Sequence, residues 1–306
     1  MNKFYGRLAE TPLSDYMALG PPARPKLRLR HPMECLPFRP EARPKWSPSR
    51  LGQRTRNVRD EAANFKNYQP KLLVDKALGA VRINFRYAAF QSISAAHSHK
   101  AGRDQYFEGP HEAYGFRLHE IDPNFVDLQY QPLAVEWISS TGKTQRMTLD
   151  YGVETQDGRV IFGEDKASQD YFDDPQIAVR LDLVESLLTG LGASLERRVA
   201  GGLTSAVQRR CVKDIFDARR THFDVSAVDR ARALITADGG ASPLGRVLEV
   251  LGAPPVVALE MARAMMHRRL LSMPIMSPPM PDTLVTIPPP AQKGALRAFL
   301  ARYVEE

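Results

Sequence analysis

The sequence contains little cysteine and no long apolar run, and both deficits exclude classes of protein. Cys35 and Cys211 are its only cysteines, too few for a disulfide framework or a thiolate zinc site. No apolar stretch approaches the roughly 20 residues of a membrane-spanning helix, and the first residues lack the apolar segment of a signal peptide. The phosphate-binding loop motif of ATPases is absent as well. We therefore expect a cytoplasmic protein without disulfides that neither contacts a membrane nor handles ATP itself.

The residues that are present have the composition of a globular protein with an uneven charge. Of the 306 residues, 43% are hydrophobic and 25% are charged, and this length favours two domains over one. Residues 1–60 hold 13 Lys/Arg and 5 Asp/Glu, whereas the remaining residues hold 29 and 30. The net charge of +7 therefore comes entirely from the N-terminal segment, and residues 101–180 carry 15 acids against 7 bases.

Residues 1–69 are predicted to be a basic, proline-rich N-terminal arm. Nine of the chain's 24 prolines fall in its first 60 residues, so the arm should be extended or disordered by itself. It either binds DNA phosphates or forms a solvated tail or a strap packed on the rest of the protein. Its candidate phosphate contacts are Arg24, Lys26, Arg28 and Arg30.

Residues 70–200 are predicted to form an α/β core with a mixed β-sheet. Three strands in succession imply an antiparallel meander, and an amphipathic helix then carries the chain to a strand parallel to part of that sheet. Residues 94–109 read as a polar loop, whose His97 and His99 are interpreted as solvated and not as metal ligands. The predicted helices are 111–119 and 174–192. The predicted strands are 71–93 (or a hairpin), 125–139 with an interruption at Pro132, 145–155, 159–167 and 193–200.

Residues 201–306 are predicted to be helical, and their element order fits a winged-helix-like domain. A short helix, a Gly-Ala-Pro turn and a longer helix are followed by a proline-rich stretch that reads as a strand pair or wing. The longer helix ends in basic residues that either face phosphates or form a solvated surface. These residues are Arg263, His267, Arg268 and Arg269.

The residues that point to chemistry are Asp150 and the pair Glu164 and Lys166. Residues two apart on a strand face the same side, and Asp150 lies across a tight turn from them, so all three can converge. Two neighbouring carboxylates suit Mg²⁺ or Mn²⁺, and a lysine beside them can stabilise charge that develops on a phosphate. The pattern thus predicts metal-dependent phosphodiester hydrolysis, or else an ordinary hairpin with surface charges. Asp165 argues slightly against the nuclease, because it points to the opposite, interior face.

The segment from His111 to Ser168 resembles TnsA, the endonuclease subunit of heteromeric transposases, which has a restriction-endonuclease-like PD-(D/E)xK core. The resemblance covers about 60 residues and consists of several motifs in the order found in that family. A glutamate stands ten residues before an Asp-Pro turn, and a Gln-Pro pair, a Gly-Lys turn, an aspartate, an Asp-Gly turn and an E-x-K motif follow. The residues are Glu112, Asp122-Pro123, Gln131-Pro132, Gly142-Lys143, Asp150, Asp157-Gly158, Glu164 and Lys166.

The resemblance also implies roles for individual residues. Glu112, Asp150 and Glu164 would bind Mg²⁺ or Mn²⁺, Lys166 would be the catalytic lysine, and Gln131 would support the site. Two positions depart from the family: Leu149 replaces the proline of the Pro-Asp pair, and Gly109 replaces a small serine before the helical glutamate. Glu120, two helical turns after Glu112, remains an alternative for the helical carboxylate.

The function implied by the resemblance is cleavage of DNA at the 5′ ends of a mobile element in a bacterial cell. A separate DDE-type transposase would cut and join the 3′ ends, and an ATP-dependent transposition regulator would be a further partner of the C-terminal domain. Two alternatives stay open: a stand-alone PD-(D/E)xK nuclease for restriction or repair, and a non-catalytic winged-helix protein that binds DNA or acts as an adaptor.

Overall fold

A computed structural model of the protein describes residues 70–82, 93–139 and 142–304. All of them belong to one compact unit. The predicted N-terminal arm lies outside the described residues, and with it Arg24, Lys26, Arg28 and Arg30.

Strands outnumber helices in the first half of the described residues, and helices dominate the second half. The strands are β1 Lys71–Val74, β2 Ile93–Ser98, β3 Arg103–Glu108, β4 Phe125–Tyr130, β5 Leu133–Ile138, β6 Thr144–Thr148, β7 Tyr151–Thr155, β8 Val160–Lys166, β9 Ser194–Val199, β10 Ala241–Pro243 and β11 Leu284–Thr286. The α-helices are α1 Gly109–Ile121, α2 Asp170–Asp173, α3 Pro175–Gly190, α4 Ala206–Asp217, α5 Val225–Ala237, α6 Leu244–Val250, α7 Pro255–His267 and α8 Ala295–Ala301.

The main sheet has four strands in the order β4-β7-β8-β9. The β4–β7 and β7–β8 pairs are antiparallel, and β8–β9 is parallel. Helix α3 makes the crossover that a parallel pair requires; it begins where the Asp174 carboxylate accepts a hydrogen bond from the N–H of Gln176 at 2.9 Å. The predicted mixed α/β architecture of this region is confirmed.

Pro132 divides the predicted strand 125–139 between two sheets, because proline has no N–H to donate to a strand ladder. Strand β4 before it joins the main sheet, and β5 after it pairs with β1 and β6 in a second sheet. Gln131 makes the turn with a φ of 49°, an uncommon conformation for a residue other than glycine.

The prediction of a polar loop over residues 94–109 is wrong, because β2 and β3 form an antiparallel hairpin there. Strand β3 buries Gln105 and Phe107 at alternate positions. This alternation of buried and exposed positions is not visible as an alternation of apolar and polar residues, because one of the buried residues is the polar Gln105. Its side-chain oxygen accepts the N–H of Tyr130 at 2.8 Å, so a polar residue occupies a position that usually holds an apolar one.

Two hydrophobic clusters cover the described sheets. The larger joins α1 and main-sheet residues such as Leu128 and Tyr151 to the C-terminal helices, including Met261 and Met265 of α7. The smaller joins strands and α3 to helix α8. The larger core therefore continues across residue 200, where the sequence predicts a domain boundary. In the described part of the chain, no helix has the length and apolar character needed to cross a membrane.

Helix α8 docks on the main sheet through a buried carboxylate and an apolar face. The Glu154 carboxylate on β7 accepts hydrogen bonds from the N–H groups of Gly294 and Leu296 at 2.9–3.0 Å. Phe299 packs against Phe162 of β8 with ring centroids 5.2 Å apart. Phe162 lies two residues before Glu164, so α8 supports the strand that carries the E-x-K motif.

Replacing Leu296 by alanine is expected to lower the free energy of unfolding by about 2–3 kcal/mol, because it leaves a cavity in a closed core. Leu296 is fully buried in the smaller cluster. The matched control is Leu284→Ala, since the Leu284 side chain is 58% exposed and its loss should change stability by no more than about 0.5 kcal/mol. Urea denaturation measures both variants. Equal losses for the two leucines would contradict the docking of α8.

Candidate functional site

Asp150 lies at the junction between β6 and β7, not in the middle of one strand as the sequence suggested. The chain passes here from the second sheet into the main sheet. The backbone is held on both sides: Asp150 N–H donates to the Gly163 carbonyl at 3.0 Å, and Gln131 N–H donates to the Asp150 carbonyl at 2.9 Å. The buried carboxylate accepts the N–H of Asp165 at 2.8 Å. Gln131 therefore positions Asp150 through its backbone.

The structure brings Asp150, Glu164 and Lys166 into direct contact. The Lys166 ammonium lies 2.7 Å from Oδ2 of Asp150 and 2.5 Å from Oε2 of Glu164. Tyr171 covers the ammonium from a ring centroid 5.1 Å away. The i, i+2 geometry of β8 thus places Glu164 and Lys166 side by side, and the β7–β8 pairing sets Asp150 against them.

The charges of this cluster are only partly balanced. Burial raises the pKa of the Glu164 carboxyl well above its usual range, and the neighbouring Asp150 adds to the shift. Among the described residues, the buried Oε1 atom of Glu164 has no hydrogen-bond partner. Burial by itself would lower the pKa of Lys166, but Glu164 and Asp150 outweigh it and the pKa rises. The ammonium is therefore held charged, and the described part of the chain supplies no hydrogen-bond donor to one of the Glu164 oxygens.

Of the two candidate helical carboxylates, Glu112 is the one that interacts with this cluster. It lies in the first turn of α1, where its carboxylate accepts the N–H of Glu108 at 3.0 Å. Burial, reinforced by Asp150, raises the pKa of Glu112 to about 8. Glu120 lies at the other end of the helix and accepts hydrogen bonds from Oγ of Ser98 and N–H of His99, both at 2.7 Å. Glu120 therefore fixes α1 to the β2–β3 hairpin.

A cleft of about 230 Å³ opens above the cluster. Asp150, Glu164 and Lys166 line it, and three arginines that the sequence analysis did not single out also line it. These are Arg82, Arg146 and Arg180. Arg146 is exposed on β6, four residues before Asp150, so the period of two along a strand could have placed it on the same face.

Asp165 is the charged residue whose side chain points into the interior from β8. It forms an ion pair with Arg198 of β9. The Arg198 guanidinium donates two hydrogen bonds of 2.7 Å to the Asp165 carboxylate, stacks on the Tyr151 ring at 4.4 Å and contacts His119. Gly115 of α1 crosses directly above this pair, and a Cβ atom there would lie 2.3 Å from Nη2 of Arg198. The inward carboxylate is thus paired, which removes the sequence-based argument against the nuclease.

The carboxylates of Asp150, Glu164 and Glu112 fit a divalent cation with oxygen ligands, because all three are buried. One oxygen of Glu164 also accepts no hydrogen bond from the described residues. Among the described residues, no group of three or more His, Cys, Asp or Glu side chains is already arranged around one ion position. The physical reason is local. The Lys166 ammonium bridges two of the carboxylates, and the Glu112 carboxylate accepts a backbone N–H.

The basic residues at the end of α7 have structural roles. Arg263 pairs with Glu260 and Asp214, and Arg269 donates to the Pro123 carbonyl at 2.6 Å. His267 is 2% exposed, and Arg268 stacks on an aromatic ring. Helix α7 is exposed at its apolar first turn and mostly buried from Ala258 onward. It therefore presents no open basic face of the kind that a groove-reading helix uses.

Comparison of the sequence with known proteins identifies no relative. No protein family matches the chain, and no characterised protein is significantly similar to it. The function must therefore be argued from the site itself.

Proposed function

We propose that this protein is a divalent-cation-dependent DNA endonuclease with a restriction-endonuclease-like PD-(D/E)xK core. We further propose that it acts as the TnsA-like subunit of a heteromeric transposase in the bacterial cytoplasm. The observation that carries the proposal is the meeting of Asp150, Glu164 and Lys166 at the base of one cleft, with Glu112 close enough for Asp150 to raise its pKa.

The element order supports the proposal. Helix α1 precedes the antiparallel strands that carry the aspartate and the E-x-K motif, and α3 crosses to the parallel strand β9. In the C-terminal half, α5, β10, α6, α7 and β11 follow in the order of a winged helix, with β10 and β11 paired. We assign this half to contacts with partner proteins, since the exposed first turn of its longer helix is apolar, with Val256 and Val257, and its basic residues Arg263 and Arg269 are held by internal contacts.

Each residue of the cluster has a role that its surroundings suit. Asp150, Glu164 and Glu112 would hold Mg²⁺ or Mn²⁺, which supplies Lewis-acid polarisation of the scissile phosphate. Lys166 is kept charged by its two carboxylate neighbours and stabilises negative charge on the phosphate. Arg146, Arg82 and Arg180 at the mouth of the cleft would bind phosphates of the same strand.

The proposal is tested by incubating the full chain with DNA carrying an element end, with and without the proposed partner, a DDE-type transposase. Strand cleavage is expected only with Mg²⁺ or Mn²⁺, and at least about tenfold faster with the transposase, because the partner positions the DNA end. EDTA is the metal-free control. Equally fast cleavage without the transposase would point to a stand-alone nuclease, and no cleavage in any combination would contradict the nuclease proposal.

A further inference from the structure

A second concave site lies outside the cleavage cleft, between the end of β2 and the short 3₁₀ turn Ala218–Arg220 that follows α4. Its volume is about 490 Å³. The side chains that give it polarity are two histidines and two arginines around one aromatic ring. They are His97, His99, Arg219, Arg220 and Phe216.

The charged residues that line the site are the two arginines. Arg219 stacks on the Phe216 ring at 4.1 Å, and Arg117 of α1 approaches the same ring at 5.8 Å. The Asp217 carboxylate lies 3.7 Å from Arg219 and 2.5 Å from Lys213, and the Asp104 carboxylate lies 3.0 Å from Nδ1 of His97. Arg220 is exposed, and no described carboxylate lies within ion-pair distance of it. Burial and the nearby Arg220 lower the pKa of Arg219, as expected where like charges gather.

A buried histidine, His267, lies next to two residues that line the site. Among the described residues neither of its ring nitrogens makes a hydrogen bond, and its Nε2 atom lies 3.8 Å from Oε1 of Glu120. Its ring contacts His99 at 5.2 Å and Phe216 at 6.0 Å between centroids. Burial lowers the pKa of His267 to about 3, and the positive charges of Lys100 and Arg219 act in the same direction. His267 does not itself line the site, so the polar side chains that a ligand could contact are those of His97, His99, Arg219 and Arg220.

We propose that this site binds a backbone phosphate of the DNA on which the cleavage centre acts. Guanidinium groups suit phosphate oxygens because their N–H donors match oxyanion geometry. Helix α1 connects the two places. Glu112 of the cleavage cluster and Glu120, which accepts the His99 N–H at 2.7 Å, are eight residues apart on it, or about 12 Å. That distance corresponds to a few nucleotides of duplex DNA.

This inference rests on the proposed DNA substrate. It gives the site a role in positioning the DNA, which is distinct from the cleavage performed at Asp150, Glu164 and Lys166. Phosphate contacts away from the scissile bond position the duplex and carry no sequence information. The site would fix the register of the DNA on α1, so that the scissile phosphate lies over Asp150. An acidic segment of a partner protein is the competing ligand, and competition between a DNA duplex and an acidic peptide distinguishes it from a DNA phosphate.

The test uses full-length protein that also carries Asp150→Ala, so that binding is measured without cleavage. Affinity for a 30-base-pair duplex is measured by fluorescence anisotropy between 50 and 200 mM salt. Arg219→Gln/Arg220→Gln is expected to weaken binding about tenfold. The slope of log affinity against log salt concentration is negative, and its magnitude should decrease by about 1 to 2. Each phosphate contact that is lost lowers this magnitude by about 0.9. Arg220→Gln alone, at an exposed position, should give about half of the slope change.

The matched control is Arg210→Gln/Arg232→Gln, which removes the same charge from exposed positions on α4 and α5. Its affinity and slope should stay close to those of the parent. Equal affinities and equal salt slopes for the two double variants would overturn the phosphate site and leave the nuclease proposal intact. Binding of an acidic peptide that the duplex cannot displace would have the same consequence. Absence of any DNA binding by the parent would instead contradict the nuclease proposal itself.

Discussion

Asp150→Ala is expected to reduce metal-dependent DNA cleavage by at least about a thousandfold, with DNA affinity changed no more than about twofold. Asp150 touches Lys166, accepts the N–H of Asp165 and raises the pKa values of Glu164 and Glu112. Its removal takes away a proposed cation ligand together with one of the two carboxylates that hold the lysine. Phosphate contacts elsewhere carry most of the affinity for DNA, so binding persists.

The control for Asp150→Ala is Asp170→Ala in α2, four residues after Lys166. Asp170 is exposed, so its loss should leave cleavage within about twofold of wild type. Cleavage is measured as strand nicking with Mg²⁺ in the presence of the partner transposase, and binding by anisotropy on the same duplex. Cleavage that survives Asp150→Ala would remove this cluster as the catalytic centre.

Arg198→Met is expected to destabilise the protein by about 3–5 kcal/mol, because it leaves the Asp165 carboxylate buried without its partner. The Asp165 side chain is fully buried and Arg198 is 8% exposed. Burial raises the pKa of Asp165 even with the arginine present. Asp165 lies between Glu164 and Lys166, so the loss should also disturb the cleavage cluster.

The neighbouring residue Arg197 provides the control for this prediction. Arg197 pairs with Asp182 and Glu185 at the surface, where a pair contributes no more than about 1 kcal/mol. Arg197→Met should therefore lower the free energy of unfolding, measured by urea denaturation, far less than Arg198→Met does. The double variant Asp165→Leu/Arg198→Met should recover most of the loss, because an apolar pair of similar volume replaces a buried ion pair well. A single variant as stable as wild type would contradict the role of this pair.

Local patterns in the sequence were sufficient for the elements that carry the site. The capping Asp174 and the regular apolar spacing predicted α3, and the structure confirms that helix and its cap. The Asp157-Gly158 turn predicted the β7–β8 hairpin, where Gly158 has a φ of 81°. The alternation along β8 placed Glu164 and Lys166 on one face. Each prediction rests on residues within one element or one turn.

Other features could not be read from the sequence, because they depend on residues far apart in the chain. The sequence does not predict the β2–β3 hairpin, because the buried side-chain oxygen of Gln105 accepts its hydrogen bond from Tyr130, 25 residues later. The choice between Glu112 and Glu120 depended on which end of α1 faces Asp150. Helix α8 reaches the main sheet through Glu154, 140 residues before Gly294.

The sequence by itself determined the mixed α/β character, the main crossover and the identity of the residues that could perform phosphodiester chemistry. These follow from backbone periodicity and from side-chain chemistry, which are properties of short segments. Only the tertiary structure decided that Arg198 neutralises Asp165, that Lys166 bridges two carboxylates, and that arginines gather in a second site beside α1. Such electrostatic partners are set by the distances between folded elements, and no local pattern encodes those distances.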